Sequence, residues 1–229
     1  DKPFGINIIA QSSNRFRDEQ IDILLEEDVA LIISSLGSPR DIIKRTEGTN
    51  TKVFCDVIGL EHAKKVEDLG AHGLIAVGSG AGGHAGDISP FALIPYLKQN
   101  TNLPVIGAGA IGDGKGMLAA MALGASAVYM GTRMIATKES PVLTDYKKSI
   151  ISSGPEDIVN TDRVDGFPGN FIKTESLIQL GIEPNMIEKI ASQSKKVKRW
   201  ISLARAGKAL FGSDKQKFSY KNVFSAGHG

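Results

Sequence analysis

The chain has 229 residues, enough for one large domain or two small ones, and its hydrophobic fraction of 41% and charged fraction of 23% are typical of a globular protein. The formal net charge of +2 gives no electrostatic argument for nucleic acid or an anionic membrane, and no apolar run reaches the roughly 18 residues of a membrane span. A single cysteine, Cys55, excludes an internal disulfide, and without a visible signal peptide we expect a cytoplasmic protein.

Short apolar runs rich in Val and Ile alternate with longer amphipathic runs over the first 153 residues. The short runs show little polar alternation, as expected of parallel strands that are covered on both faces. They predict strands over residues 4–10, 30–36, 52–58, 73–77, 103–108 and 127–131. The amphipathic runs predict helices over residues 17–27, 40–46, 61–69, 90–99, 114–123 and 141–152.

Serine, proline and glycine mark the ends of several predicted helices. Ser38-Pro39 and Ser89-Pro90 each predict a serine N-cap followed by a proline in the first turn. Gly70 and Gly124 predict the glycines that follow a helix C-terminus.

Six consecutive βα units without a clear break favour a TIM (β/α)8 barrel over an open sheet, although two of the eight units are missing. Beyond Gly154 the pattern changes to a predicted loop over residues 162–173 and a helix over residues 184–206 with a solvated basic face. We therefore predict barrel units over residues 1–153 and a C-terminal loop and helical segment, packed on the barrel, over residues 154–229. Six strands leave a sheet edge exposed, which predicts a homo-oligomer or a fragment lacking its N-terminal barrel strands.

The most distinctive motif, GSGAGGHAGD at residues 78–87, directly follows the predicted strand 73–77. Its five glycines let the backbone approach a ligand closely or adopt a positive φ. His84 stands among them with a side chain that holds or releases a proton near neutral pH. The motif predicts a ligand site with an active histidine, and the alternative is a purely structural histidine.

A second group of glycines predicts a phosphate site. The run PVIGAGAIGDG at residues 104–114 passes from a strand into a helix, whose unpaired N–H groups and dipole favour an anion. The next strand ends in Tyr129-Met130-Gly131-Thr132-Arg133, where the N–H groups of Gly131 and Thr132 can donate. In TIM barrels the loops after the last two strands commonly bind phosphate. The alternative is that these glycines serve only tight βα turns.

These segments resemble the nitronate monooxygenase family, formerly called 2-nitropropane dioxygenases, which are FMN-dependent barrels related to the flavin-type enoyl-ACP reductases. The resemblance rests on Gly5-Ile6-Asn7 and residues 79–87, 104–114 and 129–133, and it extends to residues 167–171 and 225–229. It implies that residues 1–153 are barrel units three to eight, that FMN is the cofactor and that His84 is catalytic. The residues that it assigns to FMN are Asn7, Gly82, Gly109, Ala110, Tyr129, Met130, Gly131 and Thr132.

The reaction that the resemblance implies is oxidation of an alkyl nitronate by dioxygen to a carbonyl compound and nitrite. His84 would hydrogen-bond the nitro oxygens or deprotonate a neutral nitroalkane. We expect no metal, nucleic acid or membrane partner. Two alternatives stay open: an NAD(P)H-dependent FMN reductase of the enoyl-ACP or quinone reductase type, and a phosphate-binding barrel without redox chemistry.

The chain departs from the family pattern at three positions. Val77 and Gly80 stand where many members carry polar residues, which leaves the substrate side of the pocket undefined. Ala110 replaces a usual glycine and keeps its backbone donor only if its φ is negative. Two polar residues near strand ends, Ser35 and Asp56, are further candidates to line a pocket, because a barrel builds its site there.

Overall fold

The computed structural model describes residues 2–182 and 223–229. The chain forms two compact units. The first unit consists of residues 1–79, 86–108 and 113–129, and the second of residues 80–85, 109–112 and 130–229. The division predicted from sequence, between residues 153 and 154, stays a prediction. The predicted helix over residues 184–206 lies outside the described residues.

Nine strands occur in the described part of the chain: β1 (Gly5–Ile9), β2 (Leu31–Ser35), β3 (Lys52–Val57), β4 (Gly73–Val77), β5 (Gly83–His84), β6 (Val105–Ala108), β7 (Ala127–Tyr129), β8 (Ile158–Thr161) and β9 (Gly169–Ile172). Six of them form one sheet in the order β1-β2-β3-β4-β6-β7, with every neighbouring pair parallel. These are the six strands predicted from sequence. The strand order follows the chain without reversing, which is the arrangement of a barrel and not of a doubly wound sheet.

The helices are α1 (Arg17–Glu26), α2 (Arg40–Thr46), α3 (Leu60–Asp68), α4 (Pro90–Asn100), α5 (Gly114–Ala122), α6 (Thr132–Ile135), α7 (Thr144–Ser152) and α8 (Glu175–Leu180). The six predicted helices correspond to the first five and to α7. The short α6 and α8 were not predicted, because neither is long enough to show an amphipathic period.

Most of the predicted helix ends are confirmed. Ser89 caps α4 by accepting a hydrogen bond from the Phe91 N–H, with Pro90 in the first turn. Gly70 and Gly124 follow α3 and α5 with φ of +92° and +103°, as expected of C-terminal glycines. The prediction for Ser38 was wrong by one residue, because Pro39 is the N-cap of α2.

The core of the first unit lies on the parallel sheet. Ile32, Val53, Leu74 and Val105, one from each of four neighbouring strands, are fully buried. Helix α4 covers this sheet with Leu93, Ile94 and Leu97, which are also fully buried. Replacing one of these leucines with alanine would cost about 2–5 kcal/mol. This packing fixes the strands in register, so that their carboxyl ends present side chains at one edge.

The second unit contains a small antiparallel sheet in the order β5-β9-β8. Strand β9 lies inside residues 162–173, so the prediction of a loop there was wrong over those four residues, all of which are buried. Burial of the polar Asn170 side chain is compensated by a hydrogen bond, since its Nδ2 donates to the Ala81 carbonyl at 2.7 Å. Ile172 packs beside Phe224, whose ring stacks on Tyr146 with 4.5 Å between centroids.

Candidate active site

His84 lies on β5, where it pairs with Gly169 of β9. Its Nε2 is 2.8 Å from Oδ2 of Asp165, and both side chains are partly exposed. The other carboxylate oxygen of Asp165 accepts the Phe167 N–H at 3.1 Å. The Phe167 ring meets the imidazole edge-on, with 5.7 Å between centroids. The imidazole is therefore held on one side by a carboxylate and along another by an aromatic ring.

The charge of Asp165 fixes the hydrogen positions on His84. Partial burial acts to raise the pKa of Asp165, but the hydrogen bond and charge of His84 and the Phe167 N–H outweigh it and hold the pKa below its usual value. An ionised carboxylate only accepts hydrogen bonds, so the His84 Nε2 carries the hydrogen. In the neutral ring the Nδ1 is then the atom that can accept a proton. Sequence reasoning placed His84 but missed Asp165.

The chain itself requires glycine at Gly82, because of packing, and at Gly83, because of backbone conformation. A Cβ added to Gly82 would lie 2.8 Å from the Gly227 nitrogen and 3.0 Å from the Thr132 Oγ1. Those two atoms already bond each other, since the Gly227 N–H donates to the Thr132 hydroxyl at 3.0 Å. Gly83 has φ of +69°, a conformation that favours glycine. Close approach of backbone to backbone therefore explains part of the glycine frame that sequence assigned to a ligand.

The first predicted phosphate loop differs from expectation. Ala110 has φ of +53°, so the negative φ on which its donor role depended is absent. Its N–H donates instead to the Gly80 carbonyl at 3.1 Å. The N-terminus of α5 is also partly satisfied within the chain, because the Asp113 carboxylate caps it by accepting the Gly116 N–H at 2.9 Å. The prediction of unpaired N–H groups at this helix start was wrong for the Gly116 amide.

The second predicted phosphate loop is open. The N–H groups of Gly131 and Thr132 have no hydrogen-bond partner among residues 2–182 and 223–229. A Cβ added to Gly131 would meet no atom within 4 Å. Gly109, from the first loop, likewise has an N–H without a partner in the described ranges. The chemistry of this donor set suits an anion, since backbone N–H groups in open space are the usual cradle of phosphate.

In the first unit, three polar side chains form a line across neighbouring strands. Asn7 Nδ2 donates to Ser35 Oγ at 2.7 Å, and Ser35 Oγ donates to Asp56 Oδ2 at 2.5 Å. Burial raises the pKa of Asp56 to about 6, although the Ser35 hydrogen bond acts to lower it. Burial, and then the charge of Asp56, raise the pKa of Tyr129 on β7. The structure thus joins Asn7 to the two further candidates, Ser35 and Asp56.

Cys55 does not provide a nucleophile. Burial, and then the neighbouring Asp56 charge, raise the pKa of its thiol to about 12, so the reactive thiolate is not populated near neutral pH. Within the described ranges no three His, Cys, Asp or Glu side chains are grouped to hold a metal. No helix in those ranges is both long and apolar enough to span a bilayer.

Comparisons with known proteins agree with this picture. A sequence model of a family described as nitronate monooxygenase matches residues 1–213. The chain is 32% identical over 217 residues to the (3aS,4S,5R,7aS)-5-hydroxy-7a-methyl-1-oxo-octahydro-1H-indene-4-carboxyl-CoA dehydrogenase of Rhodococcus jostii (strain RHA1), covering 92% of this chain and 61% of the relative. It is 34% identical over 173 residues to a probable nitronate monooxygenase of Staphylococcus saprophyticus, covering 70% of this chain and 48% of that relative.

Among solved structures, that of FabK from Thermotoga maritima aligns with all of this chain and 69% of its own, with a TM-score of 0.78 and 32% identity. The prediction of an α/β fold of the TIM (β/α)8 type is confirmed. The chain spans about three fifths of the Rhodococcus relative and about half of the Staphylococcus relative.

Proposed function

The chain belongs to the nitronate monooxygenase family, and from that premise we propose that it takes part in the oxidation of an alkyl nitronate by dioxygen to a carbonyl compound and nitrite. The family is FMN-dependent, so FMN is the expected cofactor. The observation that carries the proposal is the His84–Asp165 pair, in which Nε2 of the histidine in the glycine motif lies 2.8 Å from Oδ2 of Asp165. Homo-oligomerisation and a cytoplasmic location stay predictions.

The open donors of the second unit would hold the FMN phosphate. Gly131 and Thr132 supply two unpartnered N–H groups beside open space, which supports an anion there. Ala110 is the weaker candidate, because its N–H would first have to leave the Gly80 carbonyl. FMN bound there would supply the redox chemistry of the reaction, as an electron acceptor for the substrate and an electron donor to dioxygen.

The further FMN contacts are carried over from the resemblance. They are Asn7, Gly82, Gly109, Tyr129 and Met130, and they stay proposals. The resemblance gives Gly82 a place beside the flavin, although packing within the chain already requires glycine at this position.

His84 would act through its Nδ1 atom. Because Asp165 engages Nε2–H, the neutral ring can take a proton from the carbon of a nitroalkane at Nδ1, which yields the nitronate. The resulting imidazolium carries an N–H at the same position, suited to a nitronate oxygen, and the Asp165 carboxylate stabilises its charge. One histidine can therefore both generate and hold the anionic substrate.

The test is an anaerobic titration of the FMN-loaded protein with an alkyl nitronate, followed by measurement of oxygen uptake. We expect bleaching of the flavin by the nitronate and rapid oxygen consumption. His84→Ala should retain FMN and lose about 10²–10⁴-fold in turnover of the neutral nitroalkane. His62→Ala, which removes an exposed imidazole from α3, is the matched control and should leave turnover unchanged. Unchanged turnover in His84→Ala would remove this residue from the mechanism.

A second candidate is a flavin-dependent oxidoreductase that uses NAD(P)H or acts on a CoA ester. The name of the Rhodococcus relative, a carboxyl-CoA dehydrogenase, favours it. Rapid anaerobic bleaching by NADPH, without oxygen uptake on adding nitronate, would support this candidate and contradict the first. A protein that is colourless after FMN has been added and the unbound flavin removed would support the non-redox alternative.

A further inference from the structure

The polar line Asn7–Ser35–Asp56 crosses three adjacent strands of the first unit and has no part in the proton transfer at His84. We propose that Ser35 and Asp56 fix the orientation of the Asn7 amide and thereby set the affinity of the protein for FMN. This inference rests on the proposed function, in which Asn7 contacts the flavin. Ser35 and Asp56 are positioning residues in it, since they act through Asn7.

The orientation of the amide follows from the direction of hydrogen bonding. With a pKa of about 6, Asp56 is ionised at pH 8 and can only accept, so Ser35 must donate its single hydrogen across the 2.5 Å contact. The Ser35 oxygen is then an acceptor toward Asn7, 2.7 Å away. Asn7 must therefore present its NH2 group to Ser35, and its carbonyl oxygen is left for another donor.

The Asn7 carbonyl oxygen has no donor within residues 2–182 and 223–229. Without Ser35, the amide could turn by 180° and exchange its oxygen and nitrogen, because the two ends have nearly the same shape. A fixed amide is preorganised and binds without the cost of ordering. The predicted effect of the line is therefore on ligand affinity.

Asn7 is exposed, whereas the Ser35–Asp56 part of the line is withdrawn from water at a cost that packing alone does not explain. Ser35 is buried, and the Asp56 Oδ1 atom lacks a hydrogen-bond partner in the described ranges. A buried carboxylate with an unsatisfied oxygen destabilises a fold unless something else requires it. The two titratable groups coupled to Asp56, Tyr129 and Cys55, are both neutral at pH 8, so the ionised carboxylate alone sets the direction of the line.

The neighbouring residue on β2 offers a matched comparison. Ser34 is also buried, but its hydroxyl has no hydrogen-bond partner in the described part of the chain. Ser34→Ala and Ser35→Ala thus remove the same group from adjacent positions of one strand. Only Ser35→Ala removes a hydrogen bond to Asn7.

The test is a double-mutant cycle on the dissociation constant of FMN at pH 8, measured by quenching of flavin fluorescence. We expect Ser35→Ala to weaken FMN binding by roughly 3–10-fold, the effect of one lost hydrogen bond. In the Asn7→Ala background the same substitution should change binding by less than about twofold, since the amide it positions is gone. Asp56→Ala should weaken FMN binding, whereas Asp56→Asn should bind FMN almost normally, because its amide oxygen can still accept a hydrogen bond from Ser35. Ser34→Ala should bind FMN normally.

An equal effect of Ser35→Ala in both backgrounds, or none in either, would overturn the inference. Circular dichroism checks that each variant folds. Should Ser35→Ala fail to fold, Asp56→Ala in the two backgrounds makes the same comparison, and an equal effect or none would again overturn the inference. Absence of FMN binding by the unaltered protein overturns the proposed function together with the inference, whereas binding with additive variants overturns the inference alone.

Discussion

Ionisation of the Asp56 carboxyl should destabilise the folded protein as pH rises, and replacing Asp56 with asparagine should remove this loss of stability. Burial raises the pKa of Asp56 to about 6 in the folded protein, against a value of 3.8 for an unperturbed carboxyl. A group whose pKa is raised by folding contributes stability that is fully present below the unfolded pKa and is lost as pH rises through the folded pKa. The separation of about two pKa units corresponds to about 3 kcal/mol, at 1.36 kcal/mol per unit.

The assay is urea unfolding of the FMN-free protein at pH 4 and pH 8, followed by circular dichroism. Relative to the unaltered protein, the unfolding free energy of Asp56→Asn should shift in favour of the variant by up to about 3 kcal/mol between these pH values. Comparing the two pH values cancels the constant effect of exchanging a carboxyl for an amide. Asp68→Asn, at an exposed position at the end of α3, serves as control.

Direct titration of the Asp56 carboxyl carbon by NMR should give a midpoint near 6. Parallel stability curves for the two proteins, or a midpoint near 4, would refute the reasoning from burial. Agreement of both measurements would also establish that Asp56 is ionised at pH 8, the condition under which Ser35 must donate.

Three further predictions concern the second unit. Gly131→Val should fold with unchanged urea stability, because the space around its Cβ is open, yet raise the FMN dissociation constant at least tenfold; normal flavin content would count against the phosphate site. Gly80→Ala should cost about 1–3 kcal/mol of unfolding free energy because its Cβ would lie 2.6 Å from the Ala110 Cβ, and adding Ala110→Gly should recover part of it; strict additivity would exclude the contact. Asp165→Asn should keep FMN but lower turnover about 10²-fold or more and alter its pH profile, since the amide can favour the wrong His84 tautomer; an unchanged profile would contradict the pairing.

The six parallel strands were predictable because each is covered on both faces and is therefore an uninterrupted apolar run. Strand β9 was not, because it begins with Gly169-Asn170, a pair more typical of turns. Its burial depends on the bond from Asn170 to the Ala81 carbonyl, 89 residues away along the chain. A contact of that sequence separation leaves no local pattern.

The residues of the candidate site also fall into those that local sequence predicts and those that only the folded chain brings together. His84 was predictable because glycines surround it in the sequence, whereas Asp165 lies 81 residues away and meets it only in the folded chain. The φ of Ala110 was also hidden, because a positive φ at alanine costs about 1–2 kcal/mol and is held only by its surroundings. Asp56 and Ser35 were indicated by their strand ends, but their connection to Asn7 required the register of β1, β2 and β3.

Gly80 and Ala110, two positions at which the sequence is expected to depart from the family pattern, contact each other in the structure. In sequence they look independent, since 30 positions separate a missing polar side chain from an alanine in a glycine loop. In the structure, the Ala110 N–H donates to the Gly80 carbonyl, and the Ala110 Cβ occupies the space that a Cβ at position 80 would need. Any side chain at position 80 therefore crowds the Ala110 Cβ in this conformation. A side chain introduced at position 80 alone should therefore destabilise the loop, and combining it with Ala110→Gly should relieve part of that effect.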